Sequence, residues 1–294
     1  MKTIVNIDGE IYEKENAKIS VFDRGFLYGD SVYEVVRSYG DVIFAFKEHL
    51  FRLKRSADML DMELPLPLPQ IESETKRTLA QAGTGDAYVR IICTRGEGEI
   101  TLDPQMAVGA HFVIIVKDYE APPRHLYTEG ASVITIKSGK LADGAVPPGV
   151  KTGNYLTNVM ALYRARRKGS YEAILIDGNG KITEGTTCNF FIVKNGVIIT
   201  PSLEVGILPG ITRGIILELC HRWGFKSHEQ DIFVEDLSTA QEAFITSTLR
   251  DVMPVTIIDG KPVGDGKPGT ITENIRRAYI EYVKEYIACH SKKF

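Results

Sequence analysis

The alternation of hydrophobic and polar residues predicts both strands and helices in the first third of the chain. Residues 31–39 alternate with a period of two, which is typical of a half-buried strand, and residues 87–94 and 111–116 read as further strands. Residues 48–62 and 71–82 repeat apolar side chains every three or four positions, as amphipathic helices do. This part of the chain is therefore predicted to mix the two kinds of element.

The pattern beyond residue 130 is richer in strands. Six strands are predicted at residues 131–136, 172–176, 189–193, 197–200, 243–246 and 252–258. Asn195-Gly196 and Asp259-Gly260 are dipeptides that favour tight hairpin turns after two of them. Two helices are predicted at residues 212–222 and 270–287. The fold class expected from this arrangement is α+β.

A polar segment with paired prolines, Pro122-Pro123, separates the two patterns and is the candidate domain linker. We expect a small N-terminal domain at residues 1–118, a linker at 119–127 and a larger, strand-rich domain at 128–294. A cleft between the two domains is the expected place for a ligand.

Composition excludes several classes of protein. The 294 residues are 44% hydrophobic and 25% charged, with a net charge of −3, so a nucleic-acid partner is not expected. Neither a signal peptide nor a membrane span is expected, since no apolar run approaches the required length. The four cysteines are far apart and the six histidines show no metal-ligand spacing. We expect a cytoplasmic protein with reduced thiols and no metal.

Lys151 is the first candidate for chemistry. It follows the loop Pro147-Pro148-Gly149 and precedes a helical pattern that starts near Asn154. A lysine attacks an aldehyde when its ammonium is partly desolvated, which lowers its pKa. Most lysines, however, are solvated surface charges, so Lys151 alone leaves both interpretations open.

A second candidate is the segment Pro209-Gly210-Ile211-Thr212, which opens a predicted helix. Free backbone N–H groups and the helix dipole favour an anion such as a phosphate at this position. The same segment is also compatible with an ordinary helix start in which Thr212 is the capping residue.

Six segments taken in order carry a resemblance to a known family. They are Tyr28-Gly29-Asp30-Ser31-Val32-Tyr33-Glu34, His49-Leu50-Phe51-Arg52-Leu53, Lys151 with Asn154-Tyr155, Glu184-Gly185-Thr186-Thr187-Cys188-Asn189-Phe190-Phe191, Leu208-Pro209-Gly210-Ile211-Thr212-Arg213 and Ser247-Thr248. In order and spacing they resemble the fold-type IV (class IV) pyridoxal-phosphate aminotransferases, over residues 4–285. The resemblance implies a smaller N-terminal α/β domain, a larger strand-rich C-terminal domain and pyridoxal 5'-phosphate in the cleft.

The resemblance also implies roles for the cofactor residues. Lys151 resembles the catalytic lysine that bonds to the cofactor's aldehyde and later moves the α-proton. Glu184 resembles the carboxylate that keeps the pyridine nitrogen protonated, and Tyr155 the tyrosine bonded to the phenolic oxygen. The phosphate would be held by Arg52, Ile211, Thr212 and Thr248. Arg52 could equally be a surface arginine of an amphipathic helix, and Glu184 an exposed carboxylate at the end of a hairpin.

Substrate binding is expected at Tyr28, Tyr33, Arg37, Tyr88, Arg90 and Arg250, with the loop at residues 96–107. The tyrosines would form aromatic walls, and Arg90 would pair with a substrate carboxylate. Arg250 stands where branched-chain aminotransferases usually carry a small residue, so it is either a second carboxylate contact or a solvent-facing side chain. The tyrosines are equally compatible with ordinary half-buried strand positions.

The motifs divide between members of the family. Leu208 to Arg213 looks like branched-chain aminotransferases, whereas Thr187-Cys188-Asn189 is closer to D-amino acid and R-amine transaminases. Residues 96–101 lack the Arg-x-His pair of the D-amino acid enzymes. The predicted activity is transfer of an amino group from a branched-chain or other hydrophobic amino acid to a 2-oxo acid such as 2-oxoglutarate. The alternatives are D-amino acid or R-amine transamination, then aminodeoxychorismate lyase. A homodimer or larger homo-oligomer is expected.

Overall fold

A computed structural model describes residues 3–138 and 146–291 and divides the chain into two compact units. Unit 1 comprises Met1–Glu120, Val150–Tyr155 and Tyr286–Phe294, and unit 2 comprises Ala121–Gly149 and Leu156–Glu285. The first split, after Glu120, falls inside the predicted linker at 119–127. The segment with Lys151, however, groups with unit 1 and not with the residues that follow the linker.

Unit 1 is built on a six-stranded antiparallel sheet. Its strands are β1 (Thr3–Ile7), β2 (Glu10–Glu13), β3 (Ser31–Tyr39), β4 (Val42–Ile43), β5 (Asp86–Thr94), β6 (Glu97–Gly98), β7 (Ala107–Val108) and β8 (Phe112–Asp118), and its helices are α1 (Arg24–Tyr28), α2 (Phe46–Asp58) and α3 (Leu68–Ala82). The order in the main sheet is β2-β1-β8-β5-β3-β4, and β6 and β7 form a separate pair.

The two faces of this sheet differ because successive side chains of a strand point to opposite sides. Val32 and Val36 of β3 and Val89 of β5 belong to a buried apolar cluster that also includes residues of α2 and α3. The positions of opposite parity in β3 and β5 carry tyrosines and arginines: Tyr33, Arg37, Tyr88 and Arg90. One face therefore forms the core of unit 1, and the other carries four of the predicted substrate residues.

The segment around Lys151 belongs to unit 1 because its backbone pairs with the start of β3. The amide of Tyr33 donates to the carbonyl of Lys151 at 3.1 Å, and the amide of Gly153 donates to the carbonyl of Ser31 at 2.8 Å. Gly153 is required by this approach, since a Cβ there would overlap the Ser31 hydroxyl. The pairing fixes the backbone from which the Lys151 side chain projects.

Unit 2 is built on a nine-stranded mixed sheet. Its strands are β9 (Ala131–Lys137), β10 (Glu172–Ile176), β11 (Ile182–Gly185), β12 (Asn189–Lys194), β13 (Val197–Thr200), β14 (Ser227–Glu229), β15 (Glu242–Ser247), β16 (Asp251–Ile258) and β17 (Lys261–Pro262), and its helices are α4 (His125–Thr128), α5 (Leu156–Arg167), α6 (Ile211–Trp223) and most of α7 (Thr270–His290). The order is β11-β10-β9-β16-β15-β12-β13-β14, with β17 paired to β16.

The register of unit 2 brings two turns to one end of its sheet. Asn189, the first residue of β12, pairs with Thr246, the penultimate residue of β15. The turn between β11 and β12 therefore lies at the same end as the turn between β15 and β16, which contains Thr248 and Arg250. Asn195 and Gly196 join β12 to β13 with positive φ at both residues, the hairpin geometry that such dipeptides favour.

The helices of residues 3–138 and 146–291 include none with the length and apolar character needed to cross a bilayer.

Candidate active site

The Lys151 amine lies between two tyrosine hydroxyls of unit 1. Its Nζ donates to the Tyr155 hydroxyl at 3.2 Å and to the Tyr33 hydroxyl at 3.4 Å. The Lys151 amide donates to Ser56 Oγ of α2 at 3.2 Å, which anchors the backbone beneath the side chain. The structure therefore brings together Lys151, Tyr155 and Tyr33, three of the residues predicted from the sequence.

Tyr33 is the most enclosed member of this group, with 5% of its surface exposed. Burial and the neighbouring Tyr155 raise the pKa of the Tyr33 hydroxyl far above its ordinary value, so it stays neutral and keeps its proton. The two tyrosine rings meet edge to face with centroids 5.4 Å apart. The Lys151 amine also lies 4.4 Å from the centre of the Tyr33 ring, within the range of a cation–π contact.

Arg90 lies beside the same ring. Its guanidinium carbon is 4.1 Å from the centre of the Tyr33 ring, and its Nε is buried with no hydrogen-bond partner among the described residues. A buried N–H donor without a partner is costly, so the Nε of this half-buried arginine is suited to an acceptor such as a carboxylate of a ligand. Tyr88 is two residues away on β5, where the Lys117 amine lies 5.5 Å from the centre of its ring.

Arg37 and Tyr28, two other predicted substrate residues, have different surroundings. Arg37 is opposite Tyr88 in the sheet and hydrogen-bonds Asp86 at 3.2 Å, with its guanidinium carbon 3.7 Å from the centre of the Tyr119 ring. These contacts occupy Arg37 within unit 1. Tyr28 ends α1, and the Arg24 guanidinium carbon is 5.0 Å from the centre of its ring.

Arg52, the predicted phosphate residue of unit 1, is part of a buried ion pair. Its Nε and Nη2 donate to the two carboxylate oxygens of Glu34 at 2.6 and 2.8 Å. His49 Nδ1 lies 2.7 Å from the same carboxylate. Burial alone would raise the pKa of Glu34, but Arg52 and His49 outweigh it and lower the pKa to about 2. Burial lowers the pKa of His49, which favours the neutral ring beside the Glu34–Arg52 pair.

Glu184 of unit 2 lies next to the segment that leads into α6. Its carboxylate oxygens accept the amide of Leu208 at 3.2 and 3.3 Å. Asn189 donates to the carbonyl of Leu208 at 3.0 Å. A Cβ at Gly210 would overlap the Asn189 side chain, so glycine is needed there for the close approach. The structure therefore places the predicted pyridine partner close to the predicted phosphate segment.

The N-terminus of α6 is open to an anion. Gly210 is the N-cap and α6 starts at Ile211, so Thr212 lies inside the helix and is not its cap. Among the described residues, no side chain caps this end. The first amides of a helix have no partner within it and carry the positive end of its dipole. This donor set, with the nearby Glu184 carboxylate, fits a ligand that carries a phosphate and a basic ring nitrogen.

Arg250 is held within unit 2. Its Nε donates to the Tyr171 hydroxyl at 3.1 Å, its Nη1 to Thr187 Oγ1 at 2.8 Å, and its Nη2 lies 3.3 Å from Glu172. All three nitrogens are engaged and the side chain is only 16% exposed, so the solvent-facing alternative is wrong. The substrate contact of Arg250 stays a prediction. Thr248 lies in the same turn, two residues earlier.

Sequence reasoning assigned no role to several residues of these clusters: Glu34, His49, Ser56, Glu172 and Thr187. Glu34 had a usable signal, because it shares the core-facing parity of Val32 and Val36 in β3. A carboxylate at such a position must find a buried cation. Ser56 and Thr187 had no such signal, since their partners are far away in sequence. The described residues contain no group of three side chains suited to a metal ion.

Comparison with known proteins identifies the family. The model of the family described as Amino-transferase class IV matches residues 31–258. A putative branched-chain-amino-acid aminotransferase of Methanocaldococcus jannaschii is 38% identical over 275 residues, covering 94% of each protein. A D-alanine aminotransferase of Bacillus licheniformis is 34% identical over 283 residues, covering 95% of each.

A solved structure has the same fold along nearly its whole length. The branched-chain amino acid aminotransferase of T.th., complexed with N-(5'-phosphopyridoxyl)-L-glutamate, superposes with a TM-score of 0.90 at 30% identity, covering 97% of this chain and 96% of that one. The α+β fold, aminotransferase activity and pyridoxal-phosphate dependence predicted from the sequence are confirmed. The chain belongs to the class IV aminotransferases.

Proposed function

We propose that this aminotransferase takes its amino group from branched-chain or similar hydrophobic amino acids and passes it to a 2-oxo acid such as 2-oxoglutarate. The observation that carries the proposal is the Lys151 amine between two tyrosine hydroxyls, with the Arg90 guanidinium on the Tyr33 ring. An amine, a neutral aromatic wall and a cation for a carboxylate are what such substrates need. Branched-chain aminotransferases among the relatives and solved structures support the same choice.

Cofactor contacts are assigned in each unit. Lys151 supplies the amine, Arg52 is the phosphate arginine, and Tyr155 is the partner of the phenolic oxygen. The amides of Ile211 and Thr212, with Thr248, take the phosphate, and Glu184 pairs with the pyridine nitrogen. When bound, pyridoxal phosphate supplies an aldehyde for amines and a ring that accepts the negative charge left at the substrate α-carbon.

Lys151 is also the proton carrier of the reaction. Its Nζ would accept the proton from the substrate α-carbon as a base and give up a proton again as an acid, so that Lys151 ends the half-reaction unchanged. The hydroxyls of Tyr33 and Tyr155 hold Nζ in place from two sides. Because Tyr33 remains neutral, it orients the amine without competing for the proton.

Arg90 and the tyrosines account for the two kinds of substrate. The ring of Tyr33 and the neighbouring Tyr88 give a hydrophobic side chain an apolar surface. Arg90 provides a guanidinium for a carboxylate of the acceptor. A diacid such as 2-oxoglutarate carries two carboxylates. Tyr28 and Arg37 are assigned a secondary part, since Arg37 is already bonded to Asp86.

A homodimer is part of the proposal. Phe26, Ile100, Leu102 and Val108 of unit 1 are each at least 67% exposed. Arg24 of α1 donates to the carbonyls of Thr101 and Leu102, so the helix that carries Phe26 adjoins the loop that carries Ile100 and Leu102. Exposed apolar side chains on adjoining segments are typical of an interaction site, and a second copy of the chain would cover them. Sedimentation should give twice the chain mass, whereas a monomer at micromolar concentration would refute the dimer.

A cytoplasmic location is proposed as well. All four cysteines are free thiols, and Cys93, Cys188 and Cys220 are buried. Free thiols are usual in a reducing compartment.

A screen of the first half-reaction tests the substrate. The purified enzyme with bound cofactor is mixed with single L-amino acids, D-amino acids or R-amines, and loss of the cofactor's visible absorbance is followed. L-leucine, L-isoleucine and L-valine should react fastest. A faster reaction with D-alanine would favour D-amino acid transamination. This alternative is supported by the relatives named D-alanine aminotransferase. Pyruvate release from aminodeoxychorismate without an acceptor would instead show a lyase.

Glu184→Gln separates cofactor binding from chemistry in the same assay. The variant should still bind pyridoxal phosphate, because its phosphate contacts are unchanged. Removal of the α-proton should be slower by about 100-fold, since an amide does not keep the ring nitrogen protonated. Unchanged kinetics would refute the assignment. Glu218→Gln, on the exposed side of α6, is the matched control.

A further inference from the structure

Unit 2 contains an ion pair that the reaction described above does not use. Glu172 opens β10 and is fully buried, and Arg250 Nη2 lies 3.3 Å from its carboxylate. Glu172 Oε1 also accepts the Thr186 hydroxyl at 2.5 Å. The pair is thus a fixed element of the fold, connected to both turns at one end of the unit 2 sheet.

The remaining contacts of Arg250 complete this connection. Nη1 donates to Thr187 Oγ1 at 2.8 Å and to the Thr187 carbonyl at 3.4 Å. Nε donates to the Tyr171 hydroxyl at 3.1 Å, and the Arg250 carbonyl accepts the Tyr127 hydroxyl at 3.0 Å. One side chain therefore bridges the turn between β11 and β12 to its own turn between β15 and β16.

The turn that carries Arg250 adopts a conformation that needs support. Asp251, the next residue, has a φ of 54°, in the left-handed region that residues other than glycine rarely occupy. Surrounding contacts must hold such a backbone in place. The contacts of the Arg250 side chain and carbonyl do so immediately before Asp251.

We propose that Arg250 is a positioning residue for cofactor binding, which acts by fixing the Thr186–Thr187 turn and the Thr248–Arg250 turn relative to each other. Glu184 lies two residues before the first turn, and Thr248 lies in the second. The proposal rests on the proposed function, in which both residues contact the cofactor. In this role Arg250 acts through the two turns and not by its own contact with cofactor or substrate.

The test compares Thr187→Ala, Arg250→Lys and the double variant in the full-length enzyme. Thr187 is exposed, so its alanine variant should fold normally while it loses the hydroxyl that accepts from Nη1. Arg250→Lys keeps the charge beside Glu172 but loses the forked donors to Thr187 and Tyr171. Arg222→Lys, an exposed arginine of α6, is the matched control.

Two quantities are measured for each variant: the dissociation constant of pyridoxal phosphate, by titration of the apoenzyme well below the melting temperature, and the melting temperature itself. Each single variant should weaken cofactor binding by about tenfold, as expected for loss of a charge-assisted hydrogen bond. The double variant should be no weaker than Arg250→Lys, because both changes remove one interaction. The control should match wild type.

Several results would overturn the proposal. Wild-type cofactor affinity in both single variants would show that the bridge does not affect the cofactor. A lower melting temperature without weaker binding would make Arg250 a structural residue only. Additive losses in the double variant would show that the residues act independently. A wild-type enzyme that failed to bind pyridoxal phosphate would contradict the proposed function instead.

Discussion

Tyr33 and Glu34 are neighbours in β3, and each belongs to a different cluster of side chains. The two clusters differ in whether their cations have a carboxylate partner. On the Glu34 side, a buried carboxylate pairs with Arg52 and lies against His49. On the Tyr33 side, Lys151 and Arg90 contact the aromatic ring, and neither has a carboxylate partner within the described residues. The difference follows from strand geometry, because adjacent side chains point to opposite faces.

The two clusters differ in what their anionic or polar partner does. Glu34 is buried in the core of unit 1 and pairs with Arg52, so we expect it to contribute to stability and to hold Arg52 in place for the proposed phosphate contact. The Tyr33 cluster has cations held by hydroxyls and a ring, contacts that an incoming carboxylate or aldehyde can join or replace. Four substitutions test this division.

The largest effect is expected for Lys151→Ala. Turnover should fall by at least about 1,000-fold, because both the amine and the proton carrier are lost. The melting temperature should stay close to wild type, since the Ser56 and β3 contacts of residue 151 involve its backbone. Steady-state kinetics and calorimetry measure the two effects. Lys54→Ala, an exposed residue of α2, is the control, and an active Lys151→Ala enzyme would refute the role.

Glu34→Gln tests the other cluster through stability. Loss of the charge should reduce the free energy of unfolding by about 3 kcal/mol at pH 7, because Arg52 is left without its counter-ion. The native pKa of about 2 lies below the ordinary 4.5. The Glu34 contribution is therefore complete above pH 4.5 and disappears as the pH falls toward 2.

Denaturant unfolding of Glu34→Gln at several pH values measures this contribution. The gap between wild type and variant should be widest at neutral pH and should narrow between pH 4.5 and 2. Glu72→Gln, in an exposed ion pair of α3, should cost less than about 0.5 kcal/mol. A gap that is constant with pH would contradict the assignment.

Arg90→Met should affect one substrate more than the other. The KM for 2-oxoglutarate should rise by about tenfold to 100-fold, as expected for loss of a charged hydrogen bond, with a smaller change in the KM for leucine. Arg37→Met is the matched comparison on the same sheet face. Because Arg37 is already bonded to Asp86, its variant should change KM by less than about threefold. A larger rise in the KM for 2-oxoglutarate in Arg37→Met than in Arg90→Met would show that Arg37 binds the carboxylate.

Tyr33→Phe should have the smallest effect. Its hydroxyl is 3.4 Å from Lys151 Nζ, a long contact, and Tyr155 supplies a second one. The ring, which contacts both cations, is retained. We expect kcat to fall by about threefold with little change in KM. A loss above about 100-fold would mean that the Tyr33 hydroxyl takes part directly in proton transfer.

The regular elements of the fold were largely predictable from the sequence. The strands at residues 31–39 and 172–176 have the predicted bounds, and α6 differs from its prediction by one residue at each end. Period-two alternation and turn dipeptides are strong local signals. Helix α3 begins at Leu68, earlier than the predicted 71, because Pro69 is tolerated in a first helical turn.

Very short helices and contacts between remote parts of the chain were not predicted from the sequence. Helix α1 has five residues, too few for a helical period to appear. The grouping of Lys151 with unit 1 depends on pairing with β3, more than 100 residues earlier in the chain. The Arg250 contacts with Glu172 and Thr187 are similarly remote. Such pairings are set by the tertiary fold, so local patterns do not contain them.

The Lys151 amine should carry the cofactor, and chemical reduction shows whether it does. Borohydride reduces the bond between an amine and the pyridoxal phosphate aldehyde to a stable secondary amine, which peptide mass mapping then locates. The adduct should appear on the peptide that contains Lys151 and on no other. An adduct on a different lysine, or none in a protein that binds the cofactor, would contradict the account.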